Sequence, residues 1–321
     1  MPYHLIQMIN FQAYRNVMLL CGFIFLFCKE GNTQARYDSA ITYQGKTQAR
    51  KVMVYPYKDQ LYIYDKPKPF EFITQVPRTF QKAARYSFRK ESIPAISLIV
   101  SSSLVLIALD QQILDGVRNI SDAINLDPAR DYKTLIGFNL GSTPIKVYEA
   151  PQNLNSILYS IGEGSTSILI SGGLFAFGKA KNDYRALRTA SQVMQAQLVM
   201  GLTTQFIKRV SGRESPFRRT APGGVWSPLT SPSFYQKNVS RFDAFPSGHL
   251  GTMMATTVVL LGNYPEKKWI KPVAYGLMGI VCFAMINNGV HWAGDYPLAL
   301  GLGYVTGKAT LGLNRLIQSK Y

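Results

Sequence analysis

The sequence predicts an all-α fold, a helical bundle preceded by a short N-terminal arm, and three observations carry that prediction. From about Ser92 onward the chain is dominated by long apolar runs, Ile93–Leu109, Ser165–Phe177, Thr252–Leu261, Val273–Ile286 and Leu298–Leu313, which read as helices, most of them rich in Gly, Ala, Ser and Thr. Residues 35–90 are instead polar, basic and rich in tyrosine. The alternation Lys66-Pro67-Lys68-Pro69 stands near the boundary between the two regimes, and its prolines remove backbone donors and break regular structure. With 321 residues, no internal repeat and no low-complexity tract, the chain has room for one sizeable domain plus the arm.

Taken in order, residues 1–34 read as an export signal or N-terminal anchor. A polar start containing Arg15 is followed by the apolar run Val17–Cys28, which is too short to span a bilayer but fits a cleaved signal. Bulky Phe27 before Cys28 argues against lipidation of that cysteine. Removal of the segment would take two of the three cysteines and leave Cys282, so no intrachain disulfide is expected. In residues 35–90, Val52–Tyr57 and Leu61–Tyr64 read as two short strands around Lys58-Asp59-Gln60, a small hairpin in an arm or linker. Residues 91–321 form the helical domain. A mean hydropathy near zero argues for an exported bundle at a membrane surface rather than six membrane spans, although Ile93–Leu109 and Val273–Ile286 are apolar enough to enter a bilayer.

Chemistry concentrates on histidine, of which the chain has three. Pro246-Ser247-Gly248-His249 leads directly into an apolar run, so it reads as a tight turn opening a helix. The free N–H groups and positive dipole end of such a turn suit an anion, with Ser247 and Gly248 as its cradle. His291 and Asp295 are four apart and would share one face of a helix, the carboxylate fixing the imidazole tautomer and leaving the opposite nitrogen free to attack phosphorus. His249 would then protonate the leaving oxygen and later activate water. Upstream, Lys208 and Arg213, in Lys208-Arg209-Val210-Ser211-Gly212-Arg213-Glu214-Ser215-Pro216, would hold phosphate oxygens.

This ordered set resembles the type 2 phosphatidic acid phosphatase and vanadium haloperoxidase superfamily over roughly residues 190–312. The resemblance implies a helical bundle of that type and a phosphohydrolase with His291, His249 and Asp295 as catalytic residues and Lys208, Arg213, Ser247 and Gly248 as phosphate ligands. The family pattern has arginine where this chain has Ser215, and Ser-Arg where it has Ala284-Met285, so two phosphate-binding arginines are absent. Arg218, Arg219 and Arg241 lie between the first two motifs as substitutes, and Asn287 and Asn288 offer neutral donors.

Plainer readings stand beside these. His249 could be a helix cap, His291 and Asp295 a surface hydrogen bond, Arg218-Arg219 a solvated loop pair, and Glu163 mere packing. Zinc would need further ligands, and the remaining histidine, His4, lies in the export segment, so neither a metal nor another cofactor is expected. With 35 basic against 18 acidic residues the net charge is +17, which suits phosphorylated substrates and anionic headgroups. Nucleic acid is not an expected partner, since no recognition motif is present and export would remove the chain from it. Asn119 and Asn238 begin glycosylation-type triplets that carry no further reading. The sequence therefore points to a metal-independent phosphohydrolase of exported, membrane-associated location, acting on a lipid phosphate, an isoprenoid diphosphate or a small phosphoester. Vanadate-dependent peroxidase chemistry and non-catalytic binding of phosphate or anionic lipid are the alternatives.

Overall fold

The computed structural model describes residues 35–43, 46–140, 143–314 and 316–319. The expected export segment lies outside these. Two short helices, α1 (Glu71–Thr74) and α2 (Val76–Ser87), lead into the long α3 (Ile93–Ala123), and α4 (Leu154–Ser160) precedes α5 (Gly164–Lys181). Then come α6 (Tyr184–Ser211), the short α7 (Pro232–Lys237), α8 (Gly248–Asn263), α9 (Ile270–Asn287) and α10 (Tyr296–Asn314). Each of the five apolar runs falls inside one of these helices: α3, α5, α8, α9 and α10.

The main core lies between α8, α9 and α10, where Leu250, Val281, Met285 and Ala299 are fully buried. Helices α8 and α10 come close because they meet through small residues. A Cβ added at Gly303 would stand 2.4 Å from the Gly251 carbonyl oxygen. On another side, Val193, Ala196 and Met200 of α6 pack against Ala255 and Val259 of α8.

Helix α6 was not announced by an apolar run, because its buried face is largely polar. Arg185, Arg188, Thr189, Gln192 and Gln195 are all buried, and each meets a partner. Arg185 binds Glu266 at 2.7 Å and the Asn263 carbonyl at 2.7 Å, Arg188 pairs with Asp65 and Glu71, and Gln195 donates to Thr79 at 2.6 Å. Asp183 caps the helix by accepting from the Ala186 N–H at 2.9 Å. Gly212 ends it in the left-handed region, φ +57°, where a Cβ would fall 1.9 Å from the Ser227 carbonyl oxygen.

The expected hairpin is present and is larger than expected. Strands β1 (Ala35–Tyr43), β2 (Lys46–Tyr57) and β3 (Gln60–Asp65) run antiparallel, and β6 (Leu316–Ser319) returns from the C-terminus to pair with β3. The arm is docked on the bundle. Met53, Tyr55, Tyr62 and Tyr64 form a small core, Tyr64 donates to the Asn263 carbonyl at 3.1 Å, and Arg185 lies over the Tyr55 and Tyr264 rings. A second hairpin, β4 (Tyr132–Leu140) with β5 (Thr143–Pro151), was not foreseen.

Two of the described helical stretches, Lys90–Ala123 and Ile270–Asn287, are long and apolar enough to cross a membrane. Large apolar side chains stand exposed on several helices, among them Leu98 and Leu104 of α3, Phe175 of α5 and Phe206 of α6, the last 70% exposed.

Candidate active site

The end of α6, the start of α8 and the turn before α10 converge at one end of the bundle. Ser247 caps α8 as the sequence implied, its Oγ accepting from the Leu250 N–H at 3.5 Å. His249 therefore stands in the first turn, against the α4–α5 connection. There a Cβ on Gly162 would lie 2.6 Å from Val281 Cγ1, so glycine lets that connection pack onto α9 beside His249. Tyr159 of α4 packs on His249 with ring centroids 4.6 Å apart.

His291 and Asp295 do not share an α-helix. Gly289, at φ +71°, takes the chain out of α9, and Asp295 ends a short 3-10 turn before α10. The pair is nevertheless adjacent, His291 Nδ1 to Asp295 Oδ2 being 3.4 Å. The shorter contact of Nδ1 is to the Ala244 carbonyl oxygen, at 2.7 Å. A carbonyl only accepts, so Nδ1 carries the proton and Nε2 keeps a free lone pair. The tautomer is thus fixed chiefly by a backbone carbonyl, with Asp295 in support.

His249 and His291 face each other with ring centroids 6.0 Å apart, and both line a cavity of about 710 Å³. Its wall is strongly basic: Lys208, Arg218, Arg241, Lys237 and Arg130 line it, with Asp243 as the carboxylate, 3.6 Å from Lys208. Burial pushes the His249 imidazole well below the ordinary histidine range, and His291, Lys208 and Arg130 push the same way. Arg130 sits over the Tyr159 ring, whose hydroxyl burial raises to about 12.

The predicted residues divide accordingly. His249, His291 and Lys208 come together on the cavity, and Asp295 stands behind His291. Arg213 does not reach it, and the expectation that it holds phosphate oxygens is corrected. Its guanidinium is fully buried, sandwiched by the Trp226 and Trp292 rings, and paired with Asp295 at 2.7 Å and with Asp110. Ser247 is likewise turned away: its side chain caps α8 and contacts Met285 sulfur, and its N–H donates to the Asp295 carbonyl at 3.1 Å. Gly248 is half-buried in the first turn of α8 and does not line the cavity. Met285, at the missing arginine of the third motif, is wholly buried, whereas Ser215, at the other, faces the cavity.

Of the proposed substitutes, Arg218 and Arg241 line the cavity. Arg219 donates to the Pro216 carbonyl at 3.0 Å instead. Asn287 donates to the Asn155 side-chain oxygen at 3.1 Å and Asn288 accepts from the Val290 N–H at 3.2 Å, and neither lines the cavity. Glu163 precedes α5, accepts from the Ser165 hydroxyl at 3.4 Å and is held above the usual carboxylate range by burial. Sequence reasoning missed Arg130, Tyr159, Asp243 and Asp110. For Asp110 a signal existed, a carboxylate closing the apolar run Ile93–Leu109. Arg130 offered none, lying in a loop far upstream of all three motifs.

Comparison with known proteins agrees with the motifs. No curated protein matches the chain. Among solved structures, a transmembrane PAP2-type phosphatidylglycerolphosphate phosphatase from Bacillus subtilis is matched at 18% identity and a TM-score of 0.35, over 68% of this chain and 94% of that one. The family model of the PAP2 superfamily matches residues 191–316, the stretch that carries the three motifs. Over that stretch the chain is similar to the PAP2 superfamily.

Proposed function

We propose that this protein is a metal-independent phosphohydrolase of lipid phosphates working through a phosphohistidine. The observation that carries the reading is the pair of imidazoles, 6.0 Å apart, on one cavity walled by cations. His291 Nε2 attacks phosphorus, the bond from phosphorus to the leaving oxygen breaks, and His249 gives that oxygen its proton. Water then attacks the phosphohistidine and gives a proton to His249. The phosphorus–nitrogen bond breaks, and inorganic phosphate leaves. Lys208, with Arg130, Arg218 and Arg241 in place of the absent family arginines, offsets the charge that grows on the non-bridging oxygens.

A lipid substrate is supported by the setting. The helices that hold the site also expose large apolar side chains, and two are long enough to cross a bilayer, so a membrane-embedded bundle would meet its substrate at the end of its own helices. Release of inorganic phosphate from a phosphatidic acid, an isoprenoid diphosphate and a small aryl phosphate, measured with EDTA present, tests the proposal. Wild type is expected to turn over lipid phosphate in chelator, and His291→Ala to lose on the order of a thousandfold or more of kcat. Binding of phosphate without turnover by wild type would favour the binder instead.

A further inference from the structure

Behind His291 lies a chain of charges that runs from the motif residues Asp295 and Arg213 to Asp110, which no motif contains. Asp295 accepts from the Trp292 N–H through Oδ2 at 2.7 Å, the oxygen that also faces His291, and from Arg213 Nη1 through Oδ1 at 2.7 Å. Arg213 Nη2 pairs with Asp110 and donates to the Gly223 carbonyl at 3.1 Å. Asp110 comes from the middle of α3, and its other oxygen accepts from the Gly294 N–H at 2.9 Å. The approach is close enough to require glycine, since a Cβ at Gly294 would stand 2.9 Å from Asp110 Oδ2 and 2.5 Å from Ile107. The side chains of Asp110, Arg213 and Asp295 are each 0% exposed.

Burying three charges is a poor way to gain stability, because well-packed apolar residues of similar volume commonly do as well or better. The arrangement does something an apolar cluster would not. A single guanidinium beside Asp295 would draw on the same negative charge that steadies the imidazole. A second carboxylate on the far side of Arg213 neutralises that demand and leaves Asp295 Oδ2 to act on His291. We propose that Asp110 is a positioning residue for the reaction, holding Arg213, and through it Asp295, in the state that keeps the His291 imidazole oriented and basic. This rests on His291 as the nucleophile.

Asp110→Asn keeps the shape and removes the charge, which makes it the informative variant. Its kcat is expected to fall about 10- to 100-fold with KM within about twofold, the scale seen for outer partners of a functional histidine. The acid limb of kcat/KM against pH should move to lower pH, because a less negative surround favours neutral imidazole. His291 is faced by Asp295, and the cavity it lines also carries His249, Tyr159, Lys208, Lys237, Asp243, Arg130, Arg218 and Arg241. None of these changes in the variant. Asp110→Glu, which restores the charge, should recover part of the rate.

A second readout needs no turnover. With ring-15N-labelled protein, the His291 signals are assigned by loss in His291→Gln, a tractable task with three histidines in the chain. Their titration curve in Asp110→Asn is expected to lie at lower pH than in wild type. Coincident curves would overturn the proposal, as would a rate loss that tracks only a lower folded fraction. Wild type without hydrolytic activity would defeat the hydrolase reading, and the 15N comparison would still decide the coupling.

Discussion

His249 must be protonated to serve as the first-step acid, yet burial and its cationic neighbours hold its imidazole well below 6.5. The acid form is lost as pH rises through that lowered value. In the free enzyme, kcat/KM is therefore expected to decline with rising pH from a point below 6.5. Bound phosphate offsets Lys208 and Arg130, so the corresponding decline in kcat should sit at higher pH. A kcat/KM profile flat between pH 5 and 8 would remove His249 from the acid role. At this scale the sequence was legible where chemistry and spacing coincide: His249 and His291, two of the three histidines and both in motif settings, come together on one cavity. Arg213 was misread, because a guanidinium near a phosphate motif and one that braces an aspartate look alike in one dimension. Its partner Asp110 lies 103 residues away in sequence. The cavity arginine Arg130 comes from a loop with no period to read.

Helix α6 shows what hydropathy conceals. It runs from the docked sheet at Arg185 and Arg188 to the histidine-lined cavity at Lys208, and its inward face mixes apolar residues such as Val193 and Ala196 with polar groups that meet distant partners. Arg188 is the clearest case, 3% exposed and shared by Asp65 at the end of β3 and Glu71 in α1. Arg188→Ala would leave two carboxylates facing each other at the dock. It is expected to destabilise the protein by about 3–5 kcal/mol, read as a lowered unfolding midpoint. An unchanged midpoint would mean the sheet adds nothing to the bundle. The five apolar helices were legible because their runs have length. Both α6 and the β4–β5 hairpin were not, since a buried polar face mimics a solvated one and the register shifts around Ile136 interrupt the strand alternation.

Across the whole molecule, the two ends of the bundle are distinct. From Leu187, beside the sheet, to Lys208, beside the cavity, α6 rises about 31 Å at 1.5 Å per residue, close to the thickness of a bilayer's hydrocarbon core. The mean hydropathy near zero argued for a protein on the membrane surface, but that average includes the basic arm and the polar face of α6. On the exposed apolar side chains and the two long apolar helices we propose a bundle within the bilayer. Recombinant protein is then expected to stay with the membrane fraction through washes in high salt and alkaline carbonate. Release by salt alone would mean that the +17 charge, and not the helices, holds it there.

The covalent step proposed at His291 leaves a product that can be trapped. Brief reaction of wild-type protein with excess lipid phosphate, denaturation at high pH where phosphohistidine survives, and peptide mass spectrometry would locate the phosphoryl group. One phosphoryl group is expected on the peptide that contains residue 291, absent from His291→Ala. Turnover with no phosphoryl group on that peptide, or with the group on any other residue, would contradict it.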